Sequence, residues 1–442
     1  MGFKESKNFS LNSIAKEIED FWAKNDVFIK SSNRDNRKSF VFFEGPPSAN
    51  GMPGIHHVMG RAIKDIFCRF KTLQGYKVNR KAGWDTHGLP VELGVEKELG
   101  ITKEDIGTTI SIEDYNNKCR ENVMKFKNIW EDLTDIMGYW VDMNKPYITY
   151  DNKYIESVWW LLSQIDKKGM LYKGHTIQPF SPKAGTGLSS HELNQPGCYK
   201  DVKDTSVTAQ FLIEETGKKV FNSKKTVFFL AWTTTPWTLP SNTALAVNKN
   251  IQYVLVETIN QYTKTPVAVV VAEKLVPKVF SAPFVRVDEL VDHNKQIPYE
   301  IVQHIMGAEL IGLKYHQLMP LVEPHENKEN AFKIIHGDFV STEDGTGIVH
   351  IAPTFGADDA LVAKNFGVPG MLVLDENGNP RPLVDLQGRF VPEMGEFAGM
   401  YVKNEYYAEG EAPERSADVE IAIRLKEQDK AFKVEKYEHS YP

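Results

Sequence analysis

The stretch that most limits the fold is residues 39–84. Ser39-Phe40-Val41-Phe42-Phe43-Glu44 is a short run of β-formers. Gly45-Pro46-Pro47 must end it, because proline has no N–H to give to a sheet ladder. After Asn50-Gly51, the residues Met59, Ile63, Ile66 and Phe70 return at helical spacing, and Gly75 is placed to stop that helix. Residues 77–84 read as a second strand. Strand, loop, helix and strand in this order form a βαβ unit, which requires parallel pairing and helices covering the sheet.

Other parts of the chain fit around that unit. Ile14, Ile18, Phe21 and Trp22 predict an amphipathic helix ahead of it. Residues 111–137 and 151–170 predict longer helices rich in aromatics, among them Trp130, Trp159 and Trp160. The character changes near residue 200, where β-rich runs begin at 207–213, 226–234, 252–258 and 266–272. The fold class expected is therefore α/β, a Rossmann-like parallel sheet with a separate, mostly β domain inserted. The expected domains are 1–199 (N-terminal helix and first half of the sheet), 200–425 (the insert) and 426–442 (the start of the return). Residues 404–417 are acidic and polar and read as a surface linker or the start of a helix.

Bulk properties exclude several classes. The chain of 442 residues is too long for one ordinary core. Its net charge of −7 gives no compositional support to nucleic-acid binding, so any RNA contact must rest on local patches. Cys68, Cys119 and Cys198 form no CxxC pair, which argues for reduced thiols in a cytosolic protein rather than a zinc site or disulfides. The N-terminus carries no apolar signal-peptide core, and no window reaches the roughly 18–20 apolar residues of a membrane span. A cytoplasmic protein without membrane contact is expected.

Two constellations carry chemistry. In the first, Gly45-Pro46-Pro47-Ser48-Ala49-Asn50-Gly51 lies at the carboxyl edge of the first strand, where open α/β sheets bind ligands. Gly54-Ile55-His56-His57 then opens a helix whose free N–H groups and dipole suit a phosphate. Asp85, in Gly83-Trp84-Asp85-Thr86-His87, comes to the same edge and is placed to hold an ammonium group. Each piece also has a plain structural use, since Gly-Pro-Pro stops strands and a His pair can cap a helix.

The second constellation begins at Thr233-Thr234-Thr235-Pro236, after the strand Val227–Leu230. Three hydroxyls and exposed backbone donors in one turn can hold a ribose or ester and line a small pocket with methyls. Threonine is equally common at a strand edge. Further on, Asp344-Gly345-Thr346-Gly347 leads into a short strand with His350, and a second turn presents Asp358 and Asp359 at a helix start. His and Asp on adjoining turns can position water and bind an ammonium. No nucleophile elbow and no metal-ligand spacing occurs there.

Both constellations resemble the class I aminoacyl-tRNA synthetases. Within that class, residues 42–98 look like the isoleucyl enzymes through Glu44-Gly45-Pro46-Pro47, Ala49-Asn50-Gly51, Ile63-Lys64-Asp65 and Gly83-Trp84-Asp85-Thr86-His87-Gly88-Leu89-Pro90-Val91-Glu92. The resemblance implies ATP-dependent activation of isoleucine, with Mg2+, and charging of tRNA(Ile) by a monomer. It places Gly45, Pro46 and Asp85 at the isoleucine and Gly54, His56 and His57 at the ATP. The family's His-Ile-Gly-His motif falls on Gly54-Ile55-His56-His57, where Ile55 and His57 match. Whether His56 stands in for the first His is left open.

The insert resembles the editing domain of isoleucyl, valyl and leucyl enzymes. It implies that Thr233, Thr234 and Thr235 line the pocket, His350 limits side-chain size and Asp359 grips the α-ammonium, with His57, His350 and Asp359 as the catalytic set. Such a second site answers a physical limit. One methylene is worth about 1–3 kcal/mol in an apolar pocket, a magnitude known from the isoleucine–valine pair itself, so a single site cannot discriminate enough.

The pattern departs from the family in two places. Ser181 and Ala184 stand where some relatives carry cysteines of a metal knuckle, so no zinc is expected. No Lys-Met-Ser-Lys-Ser loop or anticodon-binding helices are found, so the chain is read as part of a longer enzyme. Three alternatives stay open: an editing hydrolase only, an inert nucleotide- or RNA-binding module, or a valyl-tRNA synthetase, against which Trp84-Asp85-Thr86-His87 speaks.

Overall fold

The computed structural model describes residues 10–33, 38–173, 176–182, 184–287 and 296–441. The chain divides into two compact units, Met1–Gly174 and His175–Pro442.

The first unit is built on parallel pairs joined by helices. Strand Ser39–Phe40 pairs in parallel with Lys77–Val78 across the helix Ile55–Leu73. This is the expected crossover, but its first strand is shorter than the apolar run 39–44. Beyond Phe40 the backbone is held by side chains instead of a ladder. Tyr147 Oη donates to the Glu44 carbonyl at 3.0 Å, and Lys64 Nζ donates to that of Gly45 at 3.2 Å. The second expected strand divides at Arg80. Its continuation, Lys81–Trp84, pairs in parallel with Asp142–Ile148. Arg80 is buried and donates to Asp65 Oδ1 at 3.2 Å and Thr72 Oγ1 at 2.8 Å. The expected 111–137 helix is two helices, Ile112–Val123 and Lys127–Ile136. In the break between them, the Phe126 N–H donates to the Ala49 carbonyl at 2.9 Å.

The second unit holds a mixed seven-stranded sheet. Its order is Phe284–Arg286, Ile297–Met306, Gln252–Ile259, Pro266–Ala272, Thr226–Thr233, Lys200–Leu212, Ala431–Tyr441. The central strands are apolar on both faces, as expected for a sheet covered on both sides, and Phe211, Phe229, Leu230, Leu255 and Val269 are fully buried. A small sheet, Lys333–His336, Ala244–Val247, Val349–Ile351, packs nearby and sets His350 opposite Leu245.

The second compact unit starts at His175. Residues 431–441, within the stretch 426–442 read from sequence as the start of the return, form a strand of the second unit's sheet. They run antiparallel to 200–212, with Tyr441 opposite Lys200. The acidic stretch 404–417 is a short turn at Asn404–Tyr406 and then a helix, Ala417–Glu427. Ser416 caps that helix by accepting from the Val419 N–H.

Candidate functional site

The first unit brings its predicted residues to one edge. The Asp85 N–H donates to the Pro47 carbonyl at 3.0 Å, so the strand bearing Asp85 and the Gly45-Pro46-Pro47 loop are tied together. Thr149 Oγ1 organises the rest of the Trp-Asp-Thr-His segment. It accepts from the Thr86 N–H at 2.9 Å and lies 3.0 Å from His87 Nδ1. Trp130 fastens the other side, donating from Nε1 to the Gly51 carbonyl at 2.9 Å and lying edge-on to His57 at 4.7 Å.

His57 sits in the first turn of the Ile55–Leu73 helix. Its Nδ1 accepts from the Gly54 N–H at 2.9 Å, which leaves a neutral His57 with its proton on Nε2. Burial lowers its pKa first, then the neighbouring His56 and Arg61. His57 is therefore a neutral donor at physiological pH, suited to an oxygen acceptor. A side chain at residue 54 would begin 2.8 Å from the His56 ring. A side chain at residue 54 would therefore require the His56 ring to move.

Glu44, quoted in the motif but given no role from sequence, is the electrostatic anchor of this edge. Lys64 Nζ donates to its Oε1 at 2.6 Å, and Tyr139 donates to its Oε2. Burial and this carboxylate push the Tyr139 hydroxyl pKa far up, so it remains a donor.

In the second unit the two expected halves meet. Thr233 Oγ1 accepts from the Thr235 N–H at 3.0 Å and lies 3.2 Å from Thr235 Oγ1, while Thr234 stands half-exposed between them. The turn Pro236–Ser241 follows. Within it, Thr238 Oγ1 donates to the Thr235 carbonyl at 2.8 Å and lies 2.9 Å from His350 Nε2.

The other nitrogen of His350 fixes the tautomer. Tyr315 Oη donates to Asn242 Oδ1 at 2.7 Å, which orients the amide. Asn242 Nδ2 then donates to the Ala244 carbonyl at 2.8 Å and to His350 Nδ1 at 3.2 Å. An amide nitrogen cannot accept, so Nδ1 is the acceptor and Nε2–H donates to Thr238. Burial lowers the His350 pKa to about 4, so the ring is neutral. With both nitrogens engaged, it has no lone pair for a water.

Asp359 lies in the first turn of the helix Ala357–Asn365. Its Oδ2 accepts from the Ala352 N–H at 2.8 Å, two residues beyond His350. The carboxylate folds back over Gly356, where a Cβ would lie 2.7 Å from it. Burial raises its pKa and the Ala352 N–H opposes that. Oδ1 has no partner among the described residues. Asp358, by contrast, is exposed.

Sequence reasoning missed Thr238, Asn242 and Tyr315. The first two follow closely after the Thr233-Thr234-Thr235-Pro236 turn, but their partner His350 lies more than a hundred positions away, so no local pattern marks them. No local pattern marks Tyr315. The Ser181–Ala184 turn closes on itself, with Ala184 N–H donating to Ser181 Oγ at 3.2 Å. Among the described residues no group of three His, Cys, Asp or Glu side chains is placed to hold a metal, and no helix is long and apolar enough to cross a membrane.

A fold with parallel strand–helix–strand connections and a β-rich second unit, with a neutral histidine opening the first long helix, defines the class. Residues 17–306 match the family described as tRNA synthetases class I (I, L, M and V), and the chain belongs to that family. The similarity is narrower than the class. The chain is 58% identical to an isoleucine–tRNA ligase of Cytophaga hutchinsonii over 455 aligned positions, covering all of the chain and 40% of that protein. It is 55% identical to that of Bacteroides fragilis, again over all of the chain and 40% of the relative, and 41% identical to that of Clostridium tetani, over 99% and 37%. The chain thus spans about 40% of the length of these curated relatives. Among solved structures, the editing domain of a P. knowlesi cytosolic leucyl-tRNA synthetase aligns with 54% of the chain and 97% of itself, at 14% identity and a TM-score of 0.34. A ternary complex of an Agrobacterium radiobacter leucyl-tRNA synthetase aligns with 98% of the chain and 48% of itself, at 16% identity and a TM-score of 0.32.

Proposed function

We propose that this chain belongs to an isoleucine–tRNA ligase and carries two parts of its machinery: the isoleucine and ATP edge in the first unit and a proofreading pocket in the second. Asp85 and the carbonyls near Gly45 and Pro46 hold the isoleucine ammonium. His57, with Nε2–H free, donates to a phosphate oxygen, and His56 fills the place of the family's first histidine. Mg2+ would travel with the nucleotide's phosphates, since among the described residues no group of three His, Cys, Asp or Glu side chains is placed to hold it. The domain limits that suit this reading are an insert joined through the paired strands 200–212 and 431–441, since an insert must enter and leave at one place. The setting is the cytoplasm, and the partners are ATP, isoleucine and tRNA(Ile).

The pocket in the second unit hydrolyses valyl-tRNA(Ile). The observation that carries this reading is the pairing of a neutral, doubly bonded His350 with a carboxylate, Asp359, that keeps one oxygen free. Asp359 Oδ1 takes the α-ammonium of the esterified amino acid. His350, unable to accept a proton at either nitrogen, acts as a wall that admits valine and stops isoleucine. The threonines bind the terminal ribose and ester, and the attacking water is oriented by them and not by His350.

The test is deacylation of valyl-tRNA(Ile) by the purified chain beside Asp359→Ala. The chain should hydrolyse the valyl ester and spare the isoleucyl one. Asp359→Ala should lose at least about tenfold in rate, the cost of removing one charged contact. A folded chain that is inert, within a full-length protein that is also inert, would sink the reading. A second reading is a deacylase without ligation. Isoleucine-dependent ATP–pyrophosphate exchange by the chain would decide against it.

A further inference from the structure

A buried ionic cluster lies behind the threonine turn and takes no part in the chemistry above. Asp418, 2% exposed, sits in the first turn of the helix Ala417–Glu427. Lys403 Nζ donates to its Oδ2 at 3.0 Å and to Asp204 Oδ2 at 2.8 Å. His439 Nε2 also meets Asp204 Oδ2, at 3.0 Å, and the Tyr441 ring lies 5.3 Å from the Lys403 ammonium. Lys403, 7% exposed, has its pKa raised to about 12 by its two carboxylates against the effect of burial, so it stays cationic. Burial pushes the Asp418 carboxyl up to about 6 against the pull of Lys403, which leaves the pair ionised at neutral pH.

The second oxygen of Asp418 leaves the cluster. Oδ1 accepts from the backbone N–H of Trp237 at 2.9 Å, across 181 positions of sequence. Trp237, with Pro236, lies between the Thr233–Thr235 run and Thr238. Its ring meets Phe355 edge-on at 4.9 Å, in the turn that runs from Ala352 to Asp359. One carboxylate therefore holds the backbone of one half of the pocket and, through that residue's ring, touches the other half.

We propose that Asp418, clamped by Lys403, is a positioning residue of the pocket, setting the distance between the threonine turn and the Asp359 turn and referring both to the strands at 204 and 439. A surface stabilising pair would not need its free oxygen aimed at a loop backbone. A buried charge is costly unless every lone pair is matched, and here the match is made with the pocket itself. The functional part of this inference rests on the proofreading reading given above.

The test uses the 442-residue chain with three variants: Asp418→Ala, Asp418→Asn, and Asp418→Asn combined with Lys403→Met. Asparagine keeps an acceptor for the Trp237 N–H, and the double change removes the ammonium that would face its amide. Two measurements are made. Amide hydrogen exchange should show protection lost at least tenfold in Asp418→Ala at Trp237, Thr238 and Phe355, with the central strands 227–230 and 267–271 unchanged. Protection should return in the double variant. In deacylation, Asp418→Ala should lower kcat at least tenfold with KM for valyl-tRNA(Ile) within about threefold, and the double variant should recover most of kcat. A role confined to global stability would move exchange everywhere alike and would not be rescued locally. Unchanged exchange at Trp237 in Asp418→Ala overturns the proposal. If the parent chain and the full-length protein do not deacylate, the proofreading reading fails, while the exchange result still decides whether Asp418 positions these turns.

Discussion

Asn242, wedged between Tyr315 and His350, decides what the histidine can do. The ring is neutral because desolvation lowers its pKa, although it is only partly buried, and its tautomer is set because Asn242 can only donate to Nδ1. Two predictions follow from that at the scale of single side chains. The His350 pKa in the folded chain, about 4, lies below its unfolded value of 6.5, so between those values the unfolded state binds the extra proton. Stability therefore rises with pH through that window and is lost as pH falls from about 6.5 to about 4. The largest effect is about 3 kcal/mol, from the size of the shift. Urea unfolding at several pH values, compared with His350→Gln, should show this slope in the parent and its removal in the variant. Tyr315→Phe deletes the donor to Asn242 Oδ1 and leaves a buried amide oxygen unmatched. It should cost about 1–3 kcal/mol and blunt the discrimination against isoleucyl-tRNA, because the amide is then free to turn and present Oδ1 to His350. A variant that keeps parental discrimination would mean the orientation of the ring does not depend on that hydroxyl.

Elements were legible where periodicity is local. The helix Ile55–Leu73, the helix Asn152–Lys167 and the strands 226–233, 252–259 and 266–272 follow their apolar patterns closely, whereas the strand 200–212 begins seven residues ahead of its apolar run at 207–213. What failed depended on distant partners. Phe43 sits in a β-forming run, yet the backbone from Val41 onward joins no ladder, because Tyr147 and Lys64 claim its carbonyls. Residues 431–441 alternate weakly, and their place in the sheet is set by pairing with 200–212, which no local pattern encodes. The pocket shows the same division: Thr233, His350 and Asp359 lie in motifs, whereas Tyr315, Lys403 and Asp418 are ordinary residues until the chain folds. The turn before the His350 strand is the element whose geometry is least negotiable. Gly347 has φ +75°, a Cβ there would lie 2.4 Å from that of Ala272, and its carbonyl accepts from Tyr253 Oη at 2.7 Å. Gly347→Ala combines a left-handed backbone with a hard overlap and should cost at least about 2 kcal/mol. Denaturant unfolding should register that loss together with weakened editing selectivity. Asp359→Ala should affect catalysis with far less change in stability.

Across the whole molecule the two units differ in how well each buries its own apolar surface. The second has a continuous core reaching from Val207 to Phe432. In the first, the main cluster of buried apolar side chains is Ala49, Trp84 and Trp130, while its long helices leave large residues in solvent. Leu73 is 85% exposed and Trp159 71%, and Ile63, Phe67 and Phe70 on one helix and Trp160 and Leu161 on the other are also open. Apolar area kept out of water is the main favourable term in folding, so a unit that leaves so much of it wet has little margin. Calorimetry of the chain should therefore resolve two transitions, the lower from residues 1–174 and the upper from the sheet of 175–442. A dye that fluoresces on exposed apolar surface should bind the intact chain strongly below the first transition. It should bind a 175–442 fragment weakly, and that fragment should keep the upper transition. A single transition with little dye binding would mean that the faces at Phe70 and Trp159 are covered in solution, and would make the stability of the two units one quantity rather than two.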